Sequence, residues 1–153
     1  MPVISLERSR GKRSSRFETR DGAARMHGRV LVADDSADGR WIISDMLAHM
    51  GLEVTAAENG RVACDLALSA WKLGRAFDLI LMDLQMPEID GLEATALMRS
   101  MGYEGNIVAL ISDCAFRGTH ERCIAAGCNA CASKPITYEM LLGVMQRHLP
   151  TAK

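Results

Sequence analysis

The chain alternates short, mostly apolar runs with longer stretches whose apolar positions recur every three to four residues. Five runs have the length and composition of buried strands: Val30–Ala33, Val54–Ala57, Leu79–Met82, Ile107–Ile111 and Ala130–Ala132. Between them the pattern is helical. Ile42, Met46 and Met50, four apart, predict one face of a first helix. Val62, Leu66 and Ala70, with Ala63, Ala67 and Trp71, mark a second, and Leu92, Ala96 and Arg99, with Thr95 and Met98, a third. A fourth runs from Arg117 to Ala126 and stops at Gly127. A fifth follows Pro135, carries Leu141, Val144 and Met145, and has Thr137 as its N-cap.

Strand and helix alternating in this way predict parallel pairing through right-handed crossovers. Strands that are apolar throughout are buried on both faces, so helices cover both sides of the sheet. The pattern specifies an α/β, doubly wound sheet and leaves the strand order open. Residues 1–27 show no such periodicity and read as a flexible basic tail or linker. Residues 28–150 form the one domain, and 151–153 a short C-terminal tail.

Composition sharpens this division. The net charge of −1 conceals a tail with seven basic and three acidic residues and a body with 11 basic and 16 acidic. An acidic body fits a cation site better than a nucleic-acid surface. The basic tail reads as a solvated linker, with acidic partners a lesser alternative. It is rich in Arg and Ser and poor in acids, as a transit peptide is, but the linker reading is preferred. No apolar run approaches the ~18–20 residues that span a bilayer, and no signal-type segment opens the chain, so a cytoplasmic location is expected. Five cysteines, an odd set, fit reduced thiols. Cys123, Cys128 and Cys131 match part of an iron–sulfur spacing, but a cluster there would break a helix end and a buried strand, and no fourth ligand is placed to complete it. They read as small buried hydrophobes. Trp41 and Trp71 read as core or partner-facing residues, and the four histidines have no metal-ligand spacing.

Three of the strand-like runs end in charged residues. The first ends in Asp34-Asp35, the third in Asp83 and the last in Lys134-Pro135. Ligands of an open parallel sheet bind outside the carboxyl ends of its strands. Three carboxylates there make an oxygen-rich pocket for a hard divalent cation, and a lysine adds a point charge for a phosphoryl group. Paired acids at a strand end are often no more than a turn or a helix cap; the combination is more specific. Asp83 is followed by Leu84-Gln85-Met86-Pro87 and Asp90-Gly91, and Ser112 follows the fourth apolar run.

From about Arg29 to Leu149, these motifs resemble the receiver domain of two-component response regulators. The sequence around Asp83, and Cys123-Ile-Ala-Ala-Gly127, look like receivers attached to hybrid histidine kinases. The resemblance implies a flavodoxin-like five-stranded sheet in the order 2-1-3-4-5. It implies that Asp83 is the phosphoacceptor, attacking a phosphohistidine to become an aspartyl phosphate. Asp35, Asp83 and the Gln85 backbone carbonyl would ligate Mg²⁺, with Mn²⁺ an alternative, and Asp34 would hold the ion through water. Ser112 and Lys134 would each engage a phosphoryl oxygen. The partners implied are a histidine kinase or a histidine phosphotransfer protein and a downstream protein target. No room is expected after Leu149 for a DNA-binding domain, so the chain reads as a single-domain regulator or a receiver cut from a hybrid kinase.

The chain departs from this pattern at several positions. Cys131 stands three residues before Lys134, where such receivers usually carry an aromatic ring that follows the hydroxyl residue inward. Asp113 stands where a small residue is typical, and is read as pointing to solvent. Gln85 and Cys114 occupy the two positions that tune attack by water on the acyl phosphate, and neither is an obvious base for that water. Two other functions fit less well. A phosphorylation-independent binding module gains from Cys131 and Asp113. An aspartate-nucleophile phosphohydrolase commonly needs a second acid where Gln85 stands. The expected role is a signalling phosphoacceptor, not a turnover enzyme.

Overall fold

A computed structural model describes residues 26–112 and 118–149. The predicted elements appear in the predicted alternation: β1 (Arg29–Ala33), α1 (Ala37–His49), β2 (Glu53–Ala57), α2 (Gly60–Lys72), β3 (Leu79–Asp83), α3 (Gly91–Ser100), β4 (Asn106–Ile111), α4 (Thr119–Ala126), β5 (Ala130–Ser133) and α5 (Tyr138–His148). All strand pairs are parallel, in the order β2-β1-β3-β4-β5. This is the flavodoxin-like order.

Alternation of side chains along each strand divides the core into two. Val30, Val32, Leu79, Leu81, Val108 and Leu110 point to the face covered by α1 and α5. Leu31, Ala33, Ile80, Met82, Ile107 and Ala109 point to the other face, under α2, α3 and α4. The central strand β3 is buried along its whole length. The edge strands are not: β2 buries only Val54 and Ala57, and β5 is half-buried and ends exposed. Their lower apolar burial follows from having one neighbouring strand each. Met26, on the tail side of the predicted domain boundary, packs against the α1/α5 core, and its N–H donates to the Met50 carbonyl at 3.0 Å.

Local chemistry explains the helix starts. Ser36, Asn59, Asp90 and Thr137 each accept a backbone N–H from the first turn of the helix that follows. Asp90 and Glu93 complete a reciprocal capping box, and Gly127 ends α4 in the left-handed conformation. Thr137 caps α5 as predicted.

The predicted face of α1 is buried only in part. In α1 the buried side chains are Ile43 and Leu47, with Met50 at the C-cap, while Ile42 is 50% exposed. Met50 is buried as predicted, but the two earlier positions of the stripe fall one residue on, at Ile43 and Leu47, a rotation of about 100°. Ile42 and Ile43 are adjacent and equally apolar, so periodicity alone did not separate them. In α3 the predicted Thr95 and Met98 are buried, together with Ala94, while Ala96 is exposed. The face of α5, Leu141, Val144 and Met145, is buried as predicted.

Candidate functional site

The strand order reverses direction at β1. The chain leaves β1 to place β2 on one side, then crosses back to place β3 on the other. A crevice opens at such a switch point, outside the carboxyl ends of the two strands. Asp34 and Asp35 follow β1 directly, and Asp83 is the last residue of β3. One carboxylate oxygen from each of the three lies within 4.8 Å of the others.

The three acids differ in setting. Asp34 is 2% and Asp83 4% exposed, whereas Asp35 is exposed. Asp34 is held at three points: its N–H donates to the Ala57 carbonyl at 3.1 Å, and its Oδ1 accepts the Ser36 N–H at 2.8 Å. Its carbonyl oxygen accepts Nη1 of Arg40 at 2.8 Å. The first turn of α1 approaches so closely that a β-carbon at Gly39 would stand 2.9 Å from Asp34 Oδ2.

Asp83 has two partners. Lys134, immediately after β5, places Nζ 3.1 Å from Oδ2, and the Gln85 N–H reaches Oδ1 at 3.3 Å. Lys134 is aimed by its own backbone, whose N–H extends the β4–β5 ladder by bonding the Ile111 carbonyl at 2.7 Å. The Lys134–Pro135 peptide is cis. Burial pushes the Asp83 carboxyl above the usual carboxylate range, and the neighbouring Asp34 charge adds to the rise. The Lys134 ammonium opposes it without cancelling it.

The loop after Asp83 is tightly folded back. Gly91 opens α3 against the end of β3, and its N–H bonds the Leu84 carbonyl at 3.0 Å. A β-carbon at Gly91 would meet the Asp83 carbonyl oxygen at 2.4 Å. Within this loop Glu88 takes a positive φ of 70°. Ser112 follows β4 at the same sheet edge, half-buried. Asp113 and Cys114 lie outside the described residues, as do tail residues 1–25 and residues 150–153.

The sequence-predicted groups Asp34, Asp35, Asp83, Gln85, Ser112 and Lys134 thus all lie at one edge of the sheet. Arg40 was missed, though a basic residue in the first turn of the helix after an acid pair was available as a signal.

The family model for the response regulator receiver domain matches residues 30–146. The chain belongs to this family. It is a receiver domain of two-component signalling, the kind of domain that works with histidine kinases. It is 34% identical to Two-component response regulator 24 of Arabidopsis thaliana over 118 residues, covering 77% of this chain and 81% of that protein. It is 31% identical to Hybrid signal transduction histidine kinase I of Dictyostelium discoideum over 95% of this chain and only 8% of that protein. Among solved structures it is similar to the Vibrio cholerae chemotaxis protein CheY4, with a TM-score of 0.72 and 31% identity over 81% of this chain and 100% of that one. Among the described residues no helix is long and apolar enough to cross a membrane.

The receiver's remaining cysteines behave as packing groups. Cys64, Cys123 and Cys128 are buried, Cys131 is half-buried, and all four are free thiols. Burial first, and then the neighbouring Cys131 thiol, pushes Cys123 up to about 12. Burial pushes Cys128 to about 11. Cys131 packs at the margin of the α2/α3/α4 core that contains Cys123. Trp41 and Trp71 are both outside the core, at 64% and 37% exposure.

Proposed function

We propose that Asp83 accepts a phosphoryl group from a phosphohistidine on a histidine kinase or histidine phosphotransfer protein. The observation that carries this reading is the 3.1 Å contact between Lys134 and Asp83, inside a pocket of three converging carboxylates. An oxygen of the Asp83 carboxylate bonds to phosphorus as the phosphorus–nitrogen bond breaks, and the leaving imidazole keeps the electron pair. Burial raises the affinity of Asp83 for a proton, so its anion gains from positive charge brought into the pocket.

The donor set fits a hard divalent ion, since carboxylate and carbonyl oxygens suit Mg²⁺ or Mn²⁺. Asp35, Asp83 and the Gln85 carbonyl would hold it directly, and Asp34 through water. When bound, the ion supplies positive charge against the repulsion between carboxylate and phosphoryl group. Lys134 exchanges its bond to Asp83 for one to a phosphoryl oxygen, and Ser112 donates a hydrogen bond to another. The modified loops then alter a surface read by a downstream protein. The domain is a signalling phosphoacceptor and not a turnover enzyme. The free thiols support a reducing, cytoplasmic setting.

Intact-mass analysis with acetyl phosphate tests this. With Mg²⁺ the chain should gain one labile phosphoryl group of about 80 Da, and Asp83→Asn should gain none. Equal labelling of Asp83→Asn would remove Asp83 from the role. A second reading, a binding module that works without phosphorylation, draws on Cys131, whose small thiol is packed beside Cys123 in the place of an aromatic ring. Absence of labelling in the wild type would favour it.

A further inference from the structure

Asp34 and Asp35 stand next to each other but are held in opposite ways. Asp34 is buried, and its N–H, its Oδ1 and its carbonyl oxygen are each hydrogen-bonded, to Ala57, Ser36 and Arg40 in turn. Asp35 is exposed. The direction in which its carboxylate leaves the backbone depends on the plane of the Asp34–Asp35 peptide. One side chain bonds that peptide directly: its carbonyl oxygen, that of Asp34, receives Nη1 of Arg40 at 2.8 Å.

Arg40 is half-buried in the first turn of α1, and its own N–H donates to the Ser36 carbonyl at 2.9 Å. The helix that Ser36 caps therefore anchors the arginine, and the arginine anchors the acid pair. A charged donor on a backbone carbonyl is stronger than a neutral one. A guanidinium is also pre-organised, so it loses little freedom in making the bond.

We propose that Arg40 is a positioning residue: it fixes the Asp34–Asp35 peptide so that the Asp35 carboxylate is aimed into the pocket shared with Asp83. This rests on the reading of that pocket as a cation site. Two effects of the guanidinium oppose each other. Its charge, on the carbonyl of one of the three acids, disfavours a bound cation. Its hydrogen bond orders the loop that presents Asp35, and so favours one. A positioning role means that the second effect wins, and this fixes the sign of the test.

Arg40→Met keeps the apolar stem and removes both charge and donors. Isothermal titration with Mg²⁺ should show affinity falling at least about fivefold, the scale expected when a charge-assisted hydrogen bond is lost. Arg40→Lys keeps a charged donor, without the planar fork, and should recover part of the loss. In metal-free protein, ¹⁵N relaxation should show the Asp35 amide more mobile in Arg40→Met than in wild type. Melting in EDTA separates a general loss of stability, which lowers the melting temperature without changing Mg²⁺ affinity. Equal or tighter Mg²⁺ binding by Arg40→Met, or an Asp35 amide as rigid as in wild type, would overturn the proposal. If wild type itself bound no Mg²⁺, the cation reading would fall, and the metal-free relaxation data would still decide what Arg40 does.

Discussion

Lys134 and Asp83 are 51 residues apart in the chain and 3.1 Å apart in the fold, Nζ to Oδ2. The contact joins the end of edge strand β5 to the end of central strand β3, across β4. The lysine end is one-third exposed and the aspartate end nearly closed to solvent.

Removing the lysine should therefore act on the anion more than on the fold. Lys134→Ala leaves Asp83 buried beside Asp34 and Asp35 without its cation. A loss of about 1 kcal/mol in metal-free stability is expected, discounted for the solvent-exposed lysine. Mg²⁺ affinity should be kept or raised, while the chemical-shift response to phosphorylation shrinks. A full response in Lys134→Ala would count against its assignment to the phosphoryl group.

Asp83 carries a pH signature. Its carboxyl is raised in the folded state by burial, so the folded protein binds this proton more tightly than the unfolded chain does. The group costs nothing below the unfolded value of about 3.9, and its cost grows as pH rises through the raised folded value. In EDTA, Asp83→Asn should thus gain stability relative to wild type as pH rises above about 4, then hold level. Urea unfolding across this range checks it; a difference independent of pH would contradict the assigned shift.

Gly91→Ala should be among the most damaging substitutions near the site. The new methyl would meet the Asp83 carbonyl oxygen at 2.4 Å and the Leu84 Cα at 2.9 Å, both backbone. Separating α3 from β3 should cost about 3 kcal/mol and displace Asp83 with it. Gly74→Ala is the contrast: nothing lies within 4 Å, and only the positive φ of 77° is strained. About 1 kcal/mol is expected there. Denaturant midpoints of the two variants should differ accordingly.

Cys123 and Cys128 should resist alkylation. They are 0% and 4% exposed, with thiols pushed up to about 12 and about 11. The reactive thiolate is therefore scarce at pH 8. Iodoacetamide should leave both unmodified in the native protein and label both after unfolding. The same shifts lower stability as pH rises past about 8.5, where the unfolded thiols ionise and the folded ones do not. Rapid native labelling at Cys123, read by peptide mass, would refute the packing account.

Cys131 bears on how far a signal travels. A small thiol offers little difference between inward and outward positions, so phosphorylation gains little by moving it. Amide shifts with a phosphoryl mimic should be large in the loops after Asp83 and Ser112 and small along β5 and α5. Changes at Cys131 and α5 matching those beside Asp83 would show that another group carries the switch.

Much of this receiver was legible in one dimension. Five apolar runs marked the strands because a strand covered on both sides must be apolar throughout. The acids and the lysine were visible because they ended those runs. Capping chemistry was local enough to place Thr137 at the start of α5. Strand order was not in the periodicity; it came with the resemblance, which rests on motifs spread over most of the chain.

The tertiary structure decided what depends on neighbours distant in sequence. Which of Ile42 and Ile43 faces the core is a rotation of α1, set by docking against the sheet. The exposure of β2 and β5 follows from their place at the sheet edges. Asp34 and Asp35 are equal as letters, yet one is buried against Arg40 and Gly39 and the other is open to solvent. A single sequence carries side-chain periodicity along each element because that is a property of the local backbone. Charge, burial and proton affinity at the ends of those elements are properties of what the fold brings beside them.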